Sequence, residues 1–406
     1  MKNNITAAYF ILTENCNLRC TYCFEKDTRA VSQYMNEETA FKTIDFLFEN
    51  AKKCDERKVG ITFFGGEPAL CVDLMRSMLR YTNRKEREYE GIDANISIIT
   101  NGTIYNDDYE SFLEEWFESR GSVDIQLSVD GTPEIQNINR PCANSCLDSS
   151  KLVEECAEKY KEFFKRKGIK MNQLHIHACI SKKSLPYLYE IHKYFTRVLR
   201  ITYKFAWVIE DEWDDNDVAI LDRELDLITN DLCNRTLNRN DFVFKHFDKC
   251  SGCSSGRRLI CVDTKGDIYP CHRFFFYKPE KRDELIIGNI HNEVPINEEK
   301  REVYKNIDES KMCDLPCQVC VAVNYSFTGD LHKRPNEYDV KFMAIINRHY
   351  YRFCNIIERK QVTKTMEEMA KQLNKQQNMI NMLSRRVMYL EELTGANKPS
   401  ENTNQN

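Results

Sequence analysis

The sequence has no apolar run long enough to cross a membrane, and no apolar stretch typical of a signal peptide follows its first residues. It also has no large excess of one charge, since 58 Lys and Arg against 63 Asp and Glu give a net charge of −5. Such a chain has no general attraction for polyanions. We therefore expect a cytoplasmic protein whose partners include neither a membrane nor a nucleic acid.

Cysteine, by contrast, is abundant, with 18 residues in a chain of 406. Disulfide scaffolds use many cysteines, but they are typical of short secreted chains. Here the cysteines occur in groups with Cys-x2-Cys spacing. This pattern favours metal clusters in a reducing compartment. A hydrophobic content of 42% is enough for a buried core, and the length allows two or three domains.

The first cysteine group is Cys16, Cys20 and Cys23, just after an apolar run at residues 7–12. The spacing allows three thiolates to bind three irons of a [4Fe–4S] cluster. A cluster used only for electron transfer normally has four cysteines, so the fourth iron is reserved for another molecule. The alternative is a structural zinc site. Zinc would need a fourth Cys or His nearby, and no such residue occurs before Cys54.

Residues 7–208 alternate between strand and helix patterns. Strands are predicted at 7–13, 59–64, 94–100, 123–129, 173–180 and 201–208, and helices near 37–52, 72–88, 107–119, 149–167 and 184–198. Six such units imply an α/β fold, a parallel sheet curved into a partial (β/α)6 barrel similar to a TIM barrel. In such barrels the chemistry lies at the carboxyl ends of the strands. An acidic run at residues 210–217 is predicted to be a solvated loop.

Glycine and polar residues stand at several predicted strand ends, as in Phe64-Gly65-Gly66-Glu67. With the cysteine loop, these motifs resemble the radical S-adenosylmethionine (SAM) family over roughly residues 5–330. The resemblance implies that the fourth iron of the cluster, which has no cysteine ligand, binds the amine and carboxylate of the SAM methionine. It also implies a SAM site made of Gly65, Gly66, Glu67, Ser97 (at the ribose), Asn101, Ser128 and Arg140 (at the carboxylate).

A second set of cysteines comprises Cys250, Cys253, Cys261, Cys271, Cys313, Cys317, Cys320 and Cys354. With the segment 266–271, they resemble the SPASM or twitch extension of radical SAM enzymes, which implies one or two auxiliary [4Fe–4S] clusters. By resemblance, Cys250, Cys253 and Cys271 belong to the first auxiliary site, and Cys317 and Cys320 to the second.

The family's later cysteines are replaced here by Ser326 and Asp330. Either one cluster is lost and its thiolates join the other, or two sites persist. In the second case Cys313, Cys317, Cys320 and Cys354 form one site, and Asp330 or Cys261 completes the other. A structural zinc is a further alternative.

Both halves of the chain resemble sulfatase maturases and the maturases of ribosomally made peptides. The resemblance implies that an electron from a flavodoxin- or ferredoxin-type donor cleaves SAM to a 5′-deoxyadenosyl radical. This radical then modifies a peptide or protein side chain by oxidation or by a thioether or C–C cross-link. His272 is the candidate catalytic residue, because the resemblance places it where sulfatase maturases have an aspartate that acts as the catalytic base. The alternatives are a sulfatase-maturase-like enzyme, a small-molecule dehydrogenase and a non-catalytic Fe–S scaffold.

From about Arg359 the sequence has no Pro or Gly before Gly395. Within this segment the apolar residues are separated alternately by four and by three positions. This repeat predicts a left-handed coiled coil. Ile380 and Val387 at a positions, with Leu383 and Leu390 at d, favour a parallel homodimer, whose register Gln376 helps to set. The alternative is a helix packed along its own barrel. We therefore expect a barrel at 1–235, a SPASM-like domain at 236–358, a coiled-coil helix at 359–395 and a disordered tail at 396–406.

Overall fold

The computed structural model describes residues 4–23, 33–236, 238–244, 253–276, 279–307, 320–334 and 337–394. Its centre is a nine-stranded sheet in which the first six strands are parallel and adjacent in chain order. They are β1 Ala7–Ile11, β2 Lys58–Phe64, β3 Asp93–Thr100, β4 Ile125–Ser128, β5 Leu174–Ile180 and β6 Thr202–Trp207. The predicted α/β partial barrel is confirmed.

Helices connect these strands and cover one face of the sheet. They are α1 Glu37–Lys53, α2 Val72–Glu88, α3 Asp107–Arg120, α4 Pro133–Asn139, α5 Ser149–Lys167, α6 Leu188–Lys193 and α7 Asp215–Arg235. Side chains alternate along each strand. Phe10 and Ile61 are therefore buried beneath the helices, whereas Tyr9, Thr62 and Ser97 are half-buried on the inner face of the barrel.

The acidic run predicted to be a solvated loop contains the start of helix α7. The Asp214 carboxylate accepts hydrogen bonds from Asn216 N (2.8 Å) and Asp217 N (3.1 Å), and the Asp217 carboxylate accepts one from Asp214 N (2.9 Å). This reciprocal capping box satisfies amide groups that the first helical turn leaves unpaired. For residues 215–217 the prediction of a loop is wrong, because they form the first turn of α7, although residues 214–216 are exposed to solvent as predicted.

Three short strands extend the sheet beyond β1. Strand β7, Leu259–Val262, pairs in parallel with β1, and β8, Asp267–Tyr269, and β9, Gly288–Asn289, follow in antiparallel pairing. Three helices, α8 His272–Phe275, α9 Glu298–Lys305 and α10 Val321–Thr328, belong to the same region. The cysteine-rich region is therefore joined to the barrel through one continuous sheet.

The last element is α11, a helix of 57 residues at Tyr338–Thr394. Its first part packs against α7, with Phe342 and Ile346 buried and Lys341 Nζ 2.6 Å from Asp215 Oδ1. The side chains of residues 358–390 are exposed. At 1.5 Å per residue, the helix extends about 54 Å beyond Glu358.

The alternative of a last helix folded back on its own barrel can now be judged within the described part of the chain. The apolar stripe beyond residue 360 does not pack on the barrel, so the folded-back helix is not found. Within the described ranges, no helix combines the length and the apolar composition that crossing a membrane requires.

Candidate active site at the carboxyl ends of the barrel strands

The cysteine loop follows β1 at the carboxyl end of the sheet and is fixed by backbone hydrogen bonds. It pairs with residues 139–143, which we call the strap: Arg19 N donates to Pro141 O, Thr21 N to Asn139 O and Ala143 N to Asn17 O, at 2.7–2.8 Å. The loop therefore has a defined path, although it is neither helix nor strand.

The three loop cysteines are half-buried, and hydrogen-bond donors lie against two of their sulfurs. Leu18 N lies 3.4 Å and Asn101 Nδ2 3.7 Å from Cys16 Sγ. Arg140 Nη1 lies 3.9 Å from Cys20 Sγ. Donors in these positions stabilise thiolates and the negative charge of a thiolate-bound cluster.

The chemistry of these thiols fits an iron–sulfur cluster. Burial raises the pKa of the Cys20 thiol to about 12, against the opposite effect of Arg140. The thiol therefore stays protonated at neutral pH unless a metal stabilises the thiolate. Among the described residues, no three His, Cys, Asp or Glu side chains are arranged to hold a single metal ion, as a structural zinc would require. A four-iron cube instead takes its cysteines at separate corners.

Gly65 and Gly66 allow the end of β2 to lie directly against the cysteine loop. A Cβ on Gly66 would stand 2.0 Å from Asn15 O, and one on Gly65, whose φ is +123°, would stand 2.4 Å from Thr13 O. Two short backbone bonds, Gly66 N to Thr13 O and Glu67 N to Asn15 O, both 2.8 Å, close this contact. The two glycines are therefore required to position the loop.

Glu67 is fully buried and joins the ends of β2 and β3. Its carboxylate accepts hydrogen bonds from Thr100 Oγ1 (2.6 Å), Asn101 N (2.7 Å) and Ala69 N (2.9 Å). Burial nonetheless raises its pKa. Both oxygens are thus engaged inside the protein, so Glu67 supports the ends of β2 and β3 rather than presenting its carboxylate to a ligand.

The other predicted SAM residues lie in two layers. Asn101 and Arg140 lie beside the cysteine loop, and Asn101 Nδ2 also donates to Asn17 Oδ1 (2.8 Å). Ser97 and Ser128 are half-buried on the inner face, where Ser97 Oγ lies 3.1 Å from Thr62 Oγ1. Ser97, Ser128 and Asn101 are on the barrel strands or directly after one, whereas Arg140 follows helix α4.

Sequence reasoning missed Asp130 and Asn139. Asp130 is fully buried two residues after β4, and Asn139 ends α4. The available signal for Asp130 was its place at a predicted strand end. Asn139 had none, because the sequence analysis did not predict α4.

Three cysteines of the second set lie together. Burial raises the pKa of Cys253 to about 12, and the charges of Cys271 and Cys320 contribute. Burial likewise raises the pKa of Cys271 to about 11, with Cys320 as the next cause. Arg273 hydrogen-bonds to Cys320 and pairs with Glu210 at 3.0 Å. Cys250, Cys313 and Cys317 lie outside the described residues.

Cys354 lies away from this group. Asp339, near the start of α11, accepts a hydrogen bond from Trp207 Nε1 (2.8 Å) and is close enough to Arg273 for its charge to act on the Asp339 pKa. Cys354 follows Asp339 along the same helix by 15 residues, a separation of about 22 Å.

Asp330 and Cys261, the two candidates for the remaining ligand of the first auxiliary site, differ in their exposure to solvent. Asp330 is exposed, and its carboxylate accepts a hydrogen bond from His332 N at 2.8 Å. Cys261 is fully buried and pairs with Tyr9 across β1 and β7.

His272 directly follows Cys271 and lies between two aromatic rings of the barrel. Its ring centroid is 4.4 Å from that of Tyr9 and 5.0 Å from that of Phe64. Burial lowers the pKa of His272 to about 3, so the imidazole is neutral at physiological pH. Because Phe64 precedes Gly65, His272 connects the second cysteine group with the first.

Comparison with known proteins agrees with this geometry. Residues 10–172 match the model of the Radical SAM superfamily. A cysteine-type anaerobic sulfatase-maturating enzyme from Clostridium novyi (strain NT) is 25% identical over 335 residues, 76% of this chain and 83% of that protein. The radical SAM cyclopropyl synthase TigE of Paramaledivibacter caminithermalis is 22% identical over 37% of this chain and 32% of its own length. The structure of native anSMEcpe with bound AdoMet and Cp18Cys peptide superposes with a TM-score of 0.64, at 21% identity, over 87% of this chain and 99% of that one.

Residues 10–172, which include the cysteine loop, therefore carry a radical SAM domain, and the family of that domain uses a [4Fe–4S] cluster and SAM. Within that superfamily, the chain is similar to the anaerobic sulfatase-maturating enzymes over most of its length.

Proposed function

We propose that this radical SAM enzyme modifies a peptide or protein side chain, by oxidation or by a thioether or C–C cross-link. When bound, the cluster and SAM supply a radical that abstracts hydrogen from the substrate. The chain's own residues then orient the substrate and exclude water. The observation that carries the proposal is the position of His272 and the second cysteine group beside the strand end that bears Gly65.

His272 is the residue best placed to act on such a substrate. Its ring lies on the inner side of the sheet, with Tyr9 and Phe64, next to the SAM motif. Burial keeps the imidazole neutral but also makes it a weak base, so it would accept a proton from the substrate only where bound substrate or the negative charge of a cluster raises its pKa. Sulfatase maturation uses an aspartate in this role, so the histidine favours a related reaction on a different side chain.

For the second cysteine group, we infer one auxiliary cluster on Cys253, Cys271 and Cys320. Cys250 or Cys317 is the candidate fourth ligand by spacing, and both lie outside the described residues. Such a cluster would supply an electron acceptor or a site for a substrate thiolate. The thiols fit it, because their burial makes the free thiolates unfavourable and Arg273 offsets negative charge at Cys320.

A sulfatase-maturase-like oxidation is the second candidate, favoured by the relative from Clostridium novyi, which matches 83% of its own length. Both candidates need a low-potential electron donor, for which we propose a flavodoxin or ferredoxin.

Co-expression with candidate peptides, short and rich in cysteine or repeats, tests the substrate class. We expect the peptide to lose the mass of about two hydrogen atoms for each cross-link. An unchanged peptide beside an altered small metabolite would favour the small-molecule dehydrogenase. Absence of 5′-deoxyadenosine from reduced, reconstituted enzyme with SAM would favour the non-catalytic scaffold.

We also infer that residues 359–394, which we call the stem, join two copies of the chain in parallel. The a and d side chains, Met366, Leu373, Ile380, Leu383, Val387 and Leu390 among them, are exposed in the single chain. Pairing removes this apolar area from water at about 25 cal/mol per Å². In a parallel register Arg386, at g, faces Glu391 of the other copy, at e of the next heptad, which adds opposite charges across the pair.

A further inference from the structure

Asp130 collects polar contacts from three segments of the site. It is fully buried. Its carboxylate accepts hydrogen bonds from the Tyr22 hydroxyl, Asn139 Nδ2 (3.2 Å) and Cys179 N (3.0 Å), and Arg140 Nε lies 2.9 Å from its Oδ1. These partners belong to the cysteine loop, the strap and strand β5.

Arg140 contacts the cysteine loop through the other side of its guanidinium. Nη1 lies 3.9 Å from Cys20 Sγ, and the guanidinium carbon is 5.4 Å from the centre of the Tyr22 ring. Asp130 therefore holds the guanidinium at Nε, while Nη1 of the same group faces Cys20. A buried ion pair of this kind is costly to break, because removal of one partner leaves the other charge without compensation.

We propose that Asp130 is a positioning residue for SAM binding, acting through Arg140 and Tyr22. Asp130 sets the orientation of Arg140 towards Cys20 of the cysteine loop, where the guanidinium would bind the carboxylate of the SAM methionine. Through the Tyr22 hydroxyl, it also fixes the loop between Cys20 and Cys23. The proposal rests on the radical SAM chemistry of the barrel and not on the choice of substrate.

Asp130→Asn tests the proposal, because the amide keeps an acceptor oxygen but loses the charge that orients Arg140. Tyr22→Phe removes a single hydroxyl. The matched control is Glu86→Gln, since Glu86 accepts two hydrogen bonds from Arg120 (2.9 Å each) and one from Ala94 N (2.6 Å), away from the cysteine loop. A merely structural role for Asp130 would resemble this control.

The readouts are iron and sulfide content, thermal unfolding, the SAM dissociation constant and the change that SAM causes in the electron paramagnetic resonance spectrum of the reduced cluster. We expect Asp130→Asn to bind its cluster but to bind SAM about tenfold more weakly or worse, with a diminished spectral change. Tyr22→Phe shows the same effects to a smaller extent. Glu86→Gln unfolds at a lower temperature with unchanged SAM affinity.

Wild-type SAM affinity and spectral change in Asp130→Asn overturn the proposal. If Asp130→Asn does not retain its cluster, Tyr22→Phe decides: weaker SAM binding supports the proposal, and wild-type binding overturns it. These measurements contain no peptide, so a wrong substrate class leaves them unaffected. A wild-type protein without any SAM-dependent spectral change would instead contradict the radical SAM assignment itself.

Discussion

The two cysteine groups are stabilised in different ways. Around the loop of Cys16, Cys20 and Cys23, one donor is the local amide of Leu18, and two others come from distant segments, Asn101 after β3 and Arg140 in the strap. Around Cys253 and Cys271, backbone amides are nearby: those of Ser255 and Val321 lower the Cys253 pKa, and those of Phe274 and Arg273 lower the Cys271 pKa, each against the larger effect of burial. The first group therefore depends on the assembled barrel, whereas the second depends mainly on its own turns.

The largest expected difference is between Cys20→Ala and Cys271→Ala. With dithionite and SAM, Cys20→Ala should release no 5′-deoxyadenosine, because the cluster loses one of its three ligands. Cys271→Ala should still release it while losing about four irons, those of the auxiliary cluster. Chromatography of the nucleoside and an iron assay measure both. Equal nucleoside from Cys20→Ala would remove the basis of the assignment.

His272→Phe separates the two groups at the level of the substrate. The phenyl ring retains the packing against Tyr9 and Phe64 but cannot accept a proton. We expect SAM cleavage to continue and peptide modification to fall about 100-fold. Tyr9→Phe, which keeps the neighbouring ring, is the control. Undiminished peptide modification in His272→Phe would show that the histidine is only a packing residue.

Gly66→Ala should affect the first group selectively. Its new Cβ would stand 2.0 Å from Asn15 O, which is backbone and cannot rotate away. We expect the loop to shift, with a loss of about 2 kcal/mol or more in unfolding free energy and lower iron content at the loop. Gly121→Ala is the control, since its Cβ would meet no atom within 4 Å and only its φ of +67° resists the change. Similar iron loss in both variants would mean that the close approach at Gly66 is not what fixes the loop.

Removal of residues 359–406 tests the stem, which belongs to neither cysteine group. Light scattering should give twice the chain mass for the full protein and a single chain mass for the truncated one. SAM cleavage should be unchanged, because residues 359–394 lie outside both cysteine groups. A full-length monomer would refute self-association, and a larger assembly formed only with another protein would indicate a hetero-coiled coil.

The smallest expected effect concerns Asp263, where the two regions meet. Burial is the main cause that raises the pKa of Asp263 to about 6. The negative charges of Asp267 and of Glu14, which lies at the start of the cysteine loop, raise this pKa further. The folded protein thus keeps a proton that the unfolded chain releases near pH 4. Unfolding free energy should therefore fall between pH 4 and 6 and stay lower above pH 6.

Asp263→Asn should remove this fall and stabilise the protein by about 2 to 3 kcal/mol at pH 7. The amide oxygen retains the acceptor for Lys265 N and Asp267 N, both at 2.9 Å. Urea unfolding of both proteins at pH 4–8 measures the effect, and parallel pH curves would contradict it.

The barrel was predictable because its signals are local. Val, Ile and Phe runs located all six strands to within a few residues, and the spacing of Cys16, Cys20 and Cys23 needed no tertiary information. The role of Asp130 as a shared hydrogen-bond acceptor was not predictable, because its partners are spread over three segments of the chain. The grouping of Cys320 with Cys253 and Cys271 likewise depends on how helix α10 packs, and spacing alone left two arrangements open.

Helix α11 runs from the barrel edge into the stem without Gly or Pro, the residues at which helices usually kink. It is therefore a rigid spacer rather than a tether. A protein domain fused after Thr394 would be held about 54 Å from Glu358. Insertion or deletion of residues in the stem would change this spacing by about 1.5 Å and rotate the fused domain by about 100° for each residue.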